Sequence, residues 1–464
     1  MAKVTCYGGA GMVTGSCHLV EILSIKILVD CGMIQGQTWE ENYDSFGFDA
    51  GSIDYLILTH AHADHIGRVP KLVKEGFKGE IFATKATFDM AYIMLLDSAM
   101  LLQEEYETQI RKALRRGEEA LVKEPLYTKE HVEALFTCKR RALCFEEPFA
   151  LTPFIRMSFY NAGHILGSAF VSLLFEEENL THHVVFSGDI GGKERLLLSP
   201  LSPLPNPTTL FLESTYGDRE HRSLKESIEE FKNAILETLE EGGNVIIPSF
   251  ALERTQEILW VLHQMHKEGL LRHSHVFLDS PLAIEATKIY QKYPADLNQE
   301  VGLHVSLGDD PFDFPQLKLT QRKKDSIAIN DVTKKAIIIA GSGMCTGGRV
   351  LHHLKQRIWN PKNAIIFVGF QVKGTLGRDI VDGENFVRLY GEDIKVRAKV
   401  HTINGLSAHA DRKDMLAWIK PCGGLQNVYL IHGEPEKMEL FKTYIKAHQE
   451  TKVHIVMPKE TIYI

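Results

Sequence analysis

The chain has 464 residues, 44% of them hydrophobic and 24% charged, with 52 basic against 60 acidic side chains and a formal net charge of -8. That length and apolar content allow two or three domains with ample core, and the acidic balance excludes a whole-molecule field that draws polyanions, so any nucleic-acid contact has to be local. The cysteines, Cys6, Cys17, Cys31, Cys138, Cys144, Cys345 and Cys422, are scattered, odd in number and without a Cys-x-x-Cys pair, which favours a reducing compartment over a disulfide framework.

Lys3 to Tyr7 already reads as a strand, leaving no room for a signal peptide, and no apolar run reaches the roughly 18 residues a membrane span needs. A cytoplasmic protein with no membrane partner is expected. Strands follow over Ser16 to Val29, closed by Asp30, and over Ile53 to Leu58. Immediately afterwards come His60, His62, Asp64 and His65. Neutral imidazole nitrogen and carboxylate oxygen suit zinc, and a tight loop at a strand end can aim alternating side chains at two neighbouring ions. The spacing therefore points to a dinuclear site rather than a polar surface loop.

From Ala86 to about Lys123 apolar residues share one face, with Glu104, Glu105, Arg111, Arg115 and Arg116 on the other; this predicts an exposed amphipathic hairpin of helices. Strands resume over Phe170 to Phe175 and His183 to Phe186, around His164 in Asn161 to Ser168 and before Asp189 in Ser187-Gly188-Asp189. Alone, each of these is usually a turn residue. The Pro-rich segment Pro200 to Pro207 and the strand Thr209 to Leu212 lead to Glu213.

From Ser227 the pattern changes. Val245 to Ile247, Arg254 to His266, His275 to Leu278, Leu282 to Tyr290, Ala336 to Ala340, Val350 to Arg357 and Ala364 to Phe370 alternate strand and helix, which predicts a separate α/β domain with a parallel sheet covered by helices. Within it, Ala340 to Arg349 follows a strand and precedes a helix. Gly343 and Gly348 have Walker spacing, but Arg349 and Val350 stand where a nucleotide loop requires Lys and Ser or Thr, so ATP or GTP is not expected. Ser342, Gly343, Thr346, Gly347, Gly348 and Arg349, with Gly374, Thr375 and Arg378 of a similar loop, are read as a seat for substrate phosphates; a plain tight turn is the alternative. From about Lys399 short strands return, with His409 in Leu406 to Asp411 and His432 after Asn427 to Ile431. Basic runs at Arg111 to Arg116, Lys139 to Arg141, Arg322 to Lys324 and Lys395 to Lys399 are candidate nucleic-acid contacts, though most such runs are solvated faces.

The run His60-x-His62-x-Asp64-His65, with Asp30 before it and His164 and Asp189 after it, resembles the signature of the metallo-β-lactamase superfamily. The inserted domain, with Glu213, His409 and His432, resembles its β-CASP branch, which processes nucleic acids. The resemblance implies an α/β architecture: a metallo-β-lactamase αββα sandwich from residues 1–217 and 399–464, and an inserted β-CASP domain from residues 218–398. It implies two zinc ions, one held by His60, His62 and His164 and the other by Asp64, His65 and His432, with Asp189 bridging and Asp30 supporting the ligands. Asp64 and Asp189 then serve catalysis by placing a hydroxide shared between the ions, and His409, backed by Glu213, is the expected general acid.

The whole pattern is similar to prokaryotic relatives of the pre-mRNA 3'-end cleavage endonuclease. This implies a zinc-dependent ribonuclease acting on single-stranded RNA in the cleft between domains, leaving 5'-phosphate and 3'-hydroxyl ends; a homodimer is compatible with the family. Endonucleolytic action is expected because the chain stops soon after His432, where the 5'-exonucleolytic RNase J type continues; the want of a KH-like extension before the first strand sets the chain apart from archaeal relatives and leaves RNA affinity to the two core domains. Three rivals are a small-substrate hydrolase, disfavoured by the inserted domain, a DNA nuclease, whose branch has Val where His432 stands, and a non-catalytic scaffold, which would have lost ligands.

Overall fold

The computed structural model describes the backbone of residues 1–464 and every side chain except those of Gln37 and Ala120. The chain divides into two units, one formed by residues 1–193, 200–220 and 409–464 and the other by residues 194–199 and 221–408.

Alternation of side chains decides how the first unit is layered. In Ile155–Asn161 and Ala169–Glu177, Met157, Phe159, Val171, Leu173 and Phe175 join Val4, Val20, Ile27 and Phe82 in one buried cluster, as expected of two sheets sharing an inner face. Each sheet has seven strands. The first runs in the order Thr461–Tyr463, Lys3–Gly8, Cys17–Ile22, Ile25–Val29, Tyr55–Ile57, Glu80–Ala83 and Arg140–Ala142; the second runs Lys452–Ile455, Asn427–Ile431, Thr209–Glu213, Leu180–Phe186, Ala169–Glu177, Ile155–Asn161 and Phe149–Thr152. Helices Arg412–Ile419 and Pro435–His448 cover the outer face of the second sheet, setting Met415, Ile419, Phe441 and Ile445 against Phe170, Leu210 and Leu212. The expected αββα sandwich is present.

The stretch expected to be a hairpin of helices is instead one helix, Lys85–Leu114, started by Thr84 Oγ1, which accepts the N–H of Thr87. No Gly or Pro interrupts it before Gly117, and its near side is buried at Phe88, Met90, Leu95 and Leu102. Among the described residues no helix is long and apolar enough to cross a membrane.

The second unit is a six-stranded sheet in the order Leu317–Leu319, His275–Leu278, Ala336–Ala340, Val245–Pro248, Ala364–Phe367 and Lys399–Thr402, every pairing parallel. Ala336–Ala340 is buried at all its residues, as a central strand covered on both faces must be. Ser223, Ser280, Asn298 and Thr375 cap the helices that return between strands. Lys399–Thr402, expected to belong to the metal-binding fold, pairs with Ala364–Phe367 and closes this sheet, so residues 399–408 belong with the second unit. Its edge position lets it stay half-buried, which is why its composition does not separate it from the strands that follow.

Candidate metal centre

Parallel pairing gathers the chemistry at one end of the first unit. Ile25–Val29 runs parallel to Tyr55–Ile57, and the two lead into Asp30 and into the loop carrying His60. Thr209–Glu213 runs parallel to both Leu180–Phe186 and Asn427–Ile431; these strands lead to Glu213, Asp189 and His432. His62 is the residue before the short helix Ala63–Ile66, whose first turn supplies Asp64 and His65. Gly188, at φ +52, lets the Asp189 loop close: a Cβ there would stand 2.9 Å from Thr59 Cβ. His432 itself has φ +49, a strained value for a non-glycine residue, held by its N–H to Gly9 O at 2.6 Å and its carbonyl to Ser214 N at 3.2 Å.

Two groups of four result, His60, His62, His164 and Asp189, and Asp64, His65, Asp189 and His432, with a third group of three, Asp189, Glu213 and His409, beside them. Asp189 Oδ2 lies 3.5 Å from His60 Nε2 and 3.6 Å from His164 Nε2, while Oδ1 lies 3.2 Å from His65 Nε2 and 3.4 Å from His432 Nδ1. His62 Nδ1 is 3.1 Å from both His60 Nε2 and His164 Nε2, and Asp64 Oδ2 is 3.4 Å from His432 Nε2. Four ligands about 2.1 Å from a tetrahedral zinc stand about 3.4 Å from one another. The donor set and its spacing therefore fit zinc. So does a second observation: His65 Nε2 and Asp189 Oδ1 are buried with no hydrogen bond, a costly state that a cation between them relieves.

The electrostatics of the two groups differ. Burial, reinforced by neighbouring rings, holds His60 well below its ordinary value and His62 at about 4, so both are neutral, the form that binds metal. Burial opposes charge on His65 too, but Asp189 and Asp30 outweigh it and push that ring well above its ordinary value. Asp189 goes the other way: burial would raise its pKa, yet His432 and His65 hold it well down. A positive charge is wanted where these side chains meet.

Three stretches of the sequence match known domain models: the metallo-beta-lactamase superfamily over residues 10–139, the Beta-Casp domain over residues 255–380 and the Zn-dependent metallo-hydrolase RNA specificity domain over residues 393–458. The chain is 38% identical over 441 residues to Ribonuclease TTHA0252 of Thermus thermophilus, covering 94% of each protein. It is 31% identical to transcription termination factor FttA of Methanocaldococcus jannaschii, over all of this chain and 72% of that one. This chain belongs to the metallo-β-lactamase β-CASP ribonuclease family. A solved structure of a protein of unknown function from Enterococcus faecalis is 12% identical and superposes over the full length of both chains with a TM-score of 0.55, which speaks to the fold alone.

In this β-CASP enzyme Glu213 is fully buried. It accepts the Ile190 N–H at 2.7 Å, and His409 Nδ1 stands 3.1 Å from its Oε2. Burial opposes charge on His409, but Glu213, then Asp189 and Asp64, outweigh it and set its pKa at about 9. The helix after His409 is capped by Asp411, which accepts the N–H groups of Lys413 and Asp414. Asp30 Oδ2 lies 2.7 Å from His65 Nδ1 and from Thr59 Oγ1.

Sequence reasoning missed two threonines. Thr59 Oγ1, donating to Asp30, is also 3.0 Å from His60 Nδ1, and Thr215 Oγ1 is 3.1 Å from His432 Nδ1. The available signal was position: Thr59 abuts the first ligand, and Thr215 follows Glu213 by two residues at a strand end.

In the second unit, the two glycine-bearing loops lie side by side. Gly377 N–H donates to Met344 O at 3.1 Å, and Gln371 Nε2 donates to Gly343 O at 3.0 Å. Ser342 Oγ accepts the N–H groups of Thr346 and Gly347 at 2.9 and 3.3 Å, so those amides are engaged within the loop, and Thr375 caps the next helix through Arg378 N. Arg349 departs from its expected role. Its guanidinium donates to Asp279 Oδ1 at 2.7 Å and to the carbonyls of Thr320 and Gln321 at 2.6 and 2.8 Å, because the buried Asp279 carboxylate requires a partner. Arg378 pairs with Asp382 at 2.8 Å. The basic runs also find local partners: Arg140 lies over the Phe136 ring at 4.9 Å, Arg141 meets Glu80 at 3.0 Å, and Arg322 meets Asp325 at 2.9 Å.

Proposed function

We propose that the chain is a zinc-dependent endoribonuclease with two ions, one held by His60, His62, His164 and Asp189 and the other by Asp64, His65, Asp189 and His432. One observation carries this reading: the two oxygens of Asp189 face different groups of ligands, Oδ2 towards His60 and His164 and Oδ1 towards His65 and His432. When bound, the metal ions acidify water and neutralise charge that develops on the attacked phosphate.

The side chains do the rest. Asp30 accepts a hydrogen bond from the Nδ1–H of His65 and so turns Nε2 towards the centre; Thr59 and Thr215 orient His60 and His432 in the same way. Glu213 fixes the ring of His409 through Nδ1, so that the protonated ring offers its Nε2 proton to the departing ribose oxygen. RNA as the substrate is supported by the ribonuclease that the chain resembles over almost its whole length, and internal cleavage by the likeness to prokaryotic relatives of the 3'-end cleavage endonuclease. Single-stranded RNA suits buried side chains such as His60, His65, His164 and Asp189, because one strand can enter where a duplex would first have to open. Ser342, Gly343, Thr346, Gly347 and Gly348, with Gly374, Thr375 and Arg378, offer a seat for non-reacting phosphates; the amides of Gly343 and Met344 take no part in the bonds within the loop described above.

Incubating metal-loaded protein with an end-labelled structured RNA and the matching DNA tests the reading. Internal RNA cuts with 5'-phosphate ends are expected. Mononucleotides released from the 5' end would replace the endonuclease by an exonuclease, and equal cutting of DNA would remove the RNA specificity.

A further inference from the structure

Two exposed phenylalanines stand at the C-terminal ends of neighbouring strands in the second unit. Val245–Pro248 pairs with Ala364–Phe367, Val245 opposite Ala364 and Ile246 opposite Ile365. Each chain then runs past its strand to an aromatic ring, Phe250 at 40% exposure and Phe370 at 48%. On the other side of Val245–Pro248 lies Ala336–Ala340, which feeds the loop starting at Gly341. These are the strand ends at which open α/β sheets bind their ligands.

The ring of Phe250 is held in place by glycines. A Cβ on Gly343 would lie 2.8 to 3.0 Å from three of its atoms, and one on Gly369 would lie 3.5 Å from the same ring. Backbone thus packs where side chains would stand, and the rest of the ring remains open. The loops that bear on it are braced by the buried side chain of Gln371, whose Nε2 donates to the carbonyls of Gly343, Gly369 and Phe370 at 3.0, 3.1 and 3.3 Å. Lys373, exposed, follows in the same loop. Single exposed apolar residues are ordinary. Two rings on adjacent strand ends, one packed against glycine backbone and both on loops held by side-chain hydrogen bonds to their carbonyls, offer apolar faces, and an exposed lysine follows the second ring by three residues. Nucleobases on a phosphate backbone have the matching chemistry.

We propose that Phe250 and Phe370 form a stacking platform for bases of the RNA substrate, with Lys373 meeting the adjoining phosphate. The proposal rests on the ribonuclease reading. A ring has no base-specific donor or acceptor, so the platform confers affinity with little sequence preference.

The test compares metal-loaded parent, Phe250→Leu, Phe370→Leu, Phe250→Tyr and Phe370→Tyr on a short RNA and on bis-(p-nitrophenyl) phosphate. Each Leu variant keeps an apolar side chain but loses the ring, and its kcat/KM on RNA should fall about tenfold more than on the small ester, through KM. The Tyr variants should stay within about twofold of the parent on RNA. An abasic site at the contacted nucleotide should cost the parent the same tenfold and cost the Leu variant nothing further. Leu variants that cut RNA like the parent, or that lose both substrates equally, overturn the platform alone. A parent that hydrolyses the small ester but neither binds nor cuts RNA overturns the ribonuclease reading and the platform with it.

Discussion

The Glu213 carboxylate holds His409 Nδ1 at 3.1 and 3.2 Å through its two oxygens while one of them also takes the Ile190 N–H at 2.7 Å. A buried carboxylate fixed from two sides cannot swing away from the ring, so the ring is fixed as well. His409 stands with Asp189 and Glu213 in a third cluster, outside the two groups of four, and we propose that it serves the leaving group. His409→Ala should keep its zinc and lose roughly 10²- to 10⁴-fold in RNA cleavage, yet be only mildly impaired on bis-(p-nitrophenyl) phosphate, whose nitrophenolate leaves without a proton. Equal losses on the two substrates, or loss of zinc, would move His409 to the metal or the nucleophile.

Asp189 is the one side chain shared by both ligand groups. Asp189→Asn removes a charge from each, since an amide supplies none, and should weaken both sites together. Metal analysis of the parent should give about two zinc ions per chain. One ion in the parent, or undiminished zinc in the variant, defeats the dinuclear arrangement.

Thr215 is expected to set which nitrogen of His432 is available. Its hydroxyl meets His432 Nδ1 at 3.1 Å and donates to the His432 carbonyl at 3.3 Å, which directs Nε2 towards Asp64. Thr215→Val keeps the shape and removes the hydroxyl; zinc affinity should drop about 10- to 100-fold, and Thr215→Ser should restore most of it. Titration against a chelating dye reads this without reference to activity. Equal affinities for the Val and Ser variants would show that the hydroxyl has no such role.

Asp279 anchors the second unit. Burial would raise its pKa, but hydrogen bonds from His353 at 2.7 Å, Ser326 at 2.6 Å, Thr320 at 2.8 Å and Arg349 at 2.7 Å outweigh it and hold the carboxyl at about 2. A carboxyl depressed in the folded state contributes stability that is fully present above its unfolded value of about 3.9 and is lost as pH falls through the folded one. The shift corresponds to about 2 kcal/mol. Asp279→Asn should therefore lower stability by at least about that much at pH 7, with the same deficit down to about pH 4 and a shrinking one below. Urea unfolding of parent and variant over this pH series measures it; a variant as stable as the parent at pH 7 would remove Asp279 from this role.

The sequence by itself determined the class of each unit and singled out the candidate ligands of the centre. His60 to His65 lie within one turn's reach of each other, so their spacing alone speaks of metal, and strands such as Ala336–Ala340 carry their burial in their composition. What only the tertiary structure decided was whatever depends on pairing between distant segments. The partnership of Thr215 with His432 follows from the parallel register of Thr209–Glu213 with Asn427–Ile431, and no local pattern encodes that register. Arg349 reads as a phosphate ligand from its neighbours in sequence, yet it is claimed by Asp279 from another strand end, because a buried carboxylate takes the nearest guanidinium. The helix Lys85–Leu114 runs unbroken because nothing in its sequence stops it, and its buried face is fixed by packing. Short-range chemistry is written in short stretches of sequence; long-range contacts exist only once the sheets have set their order.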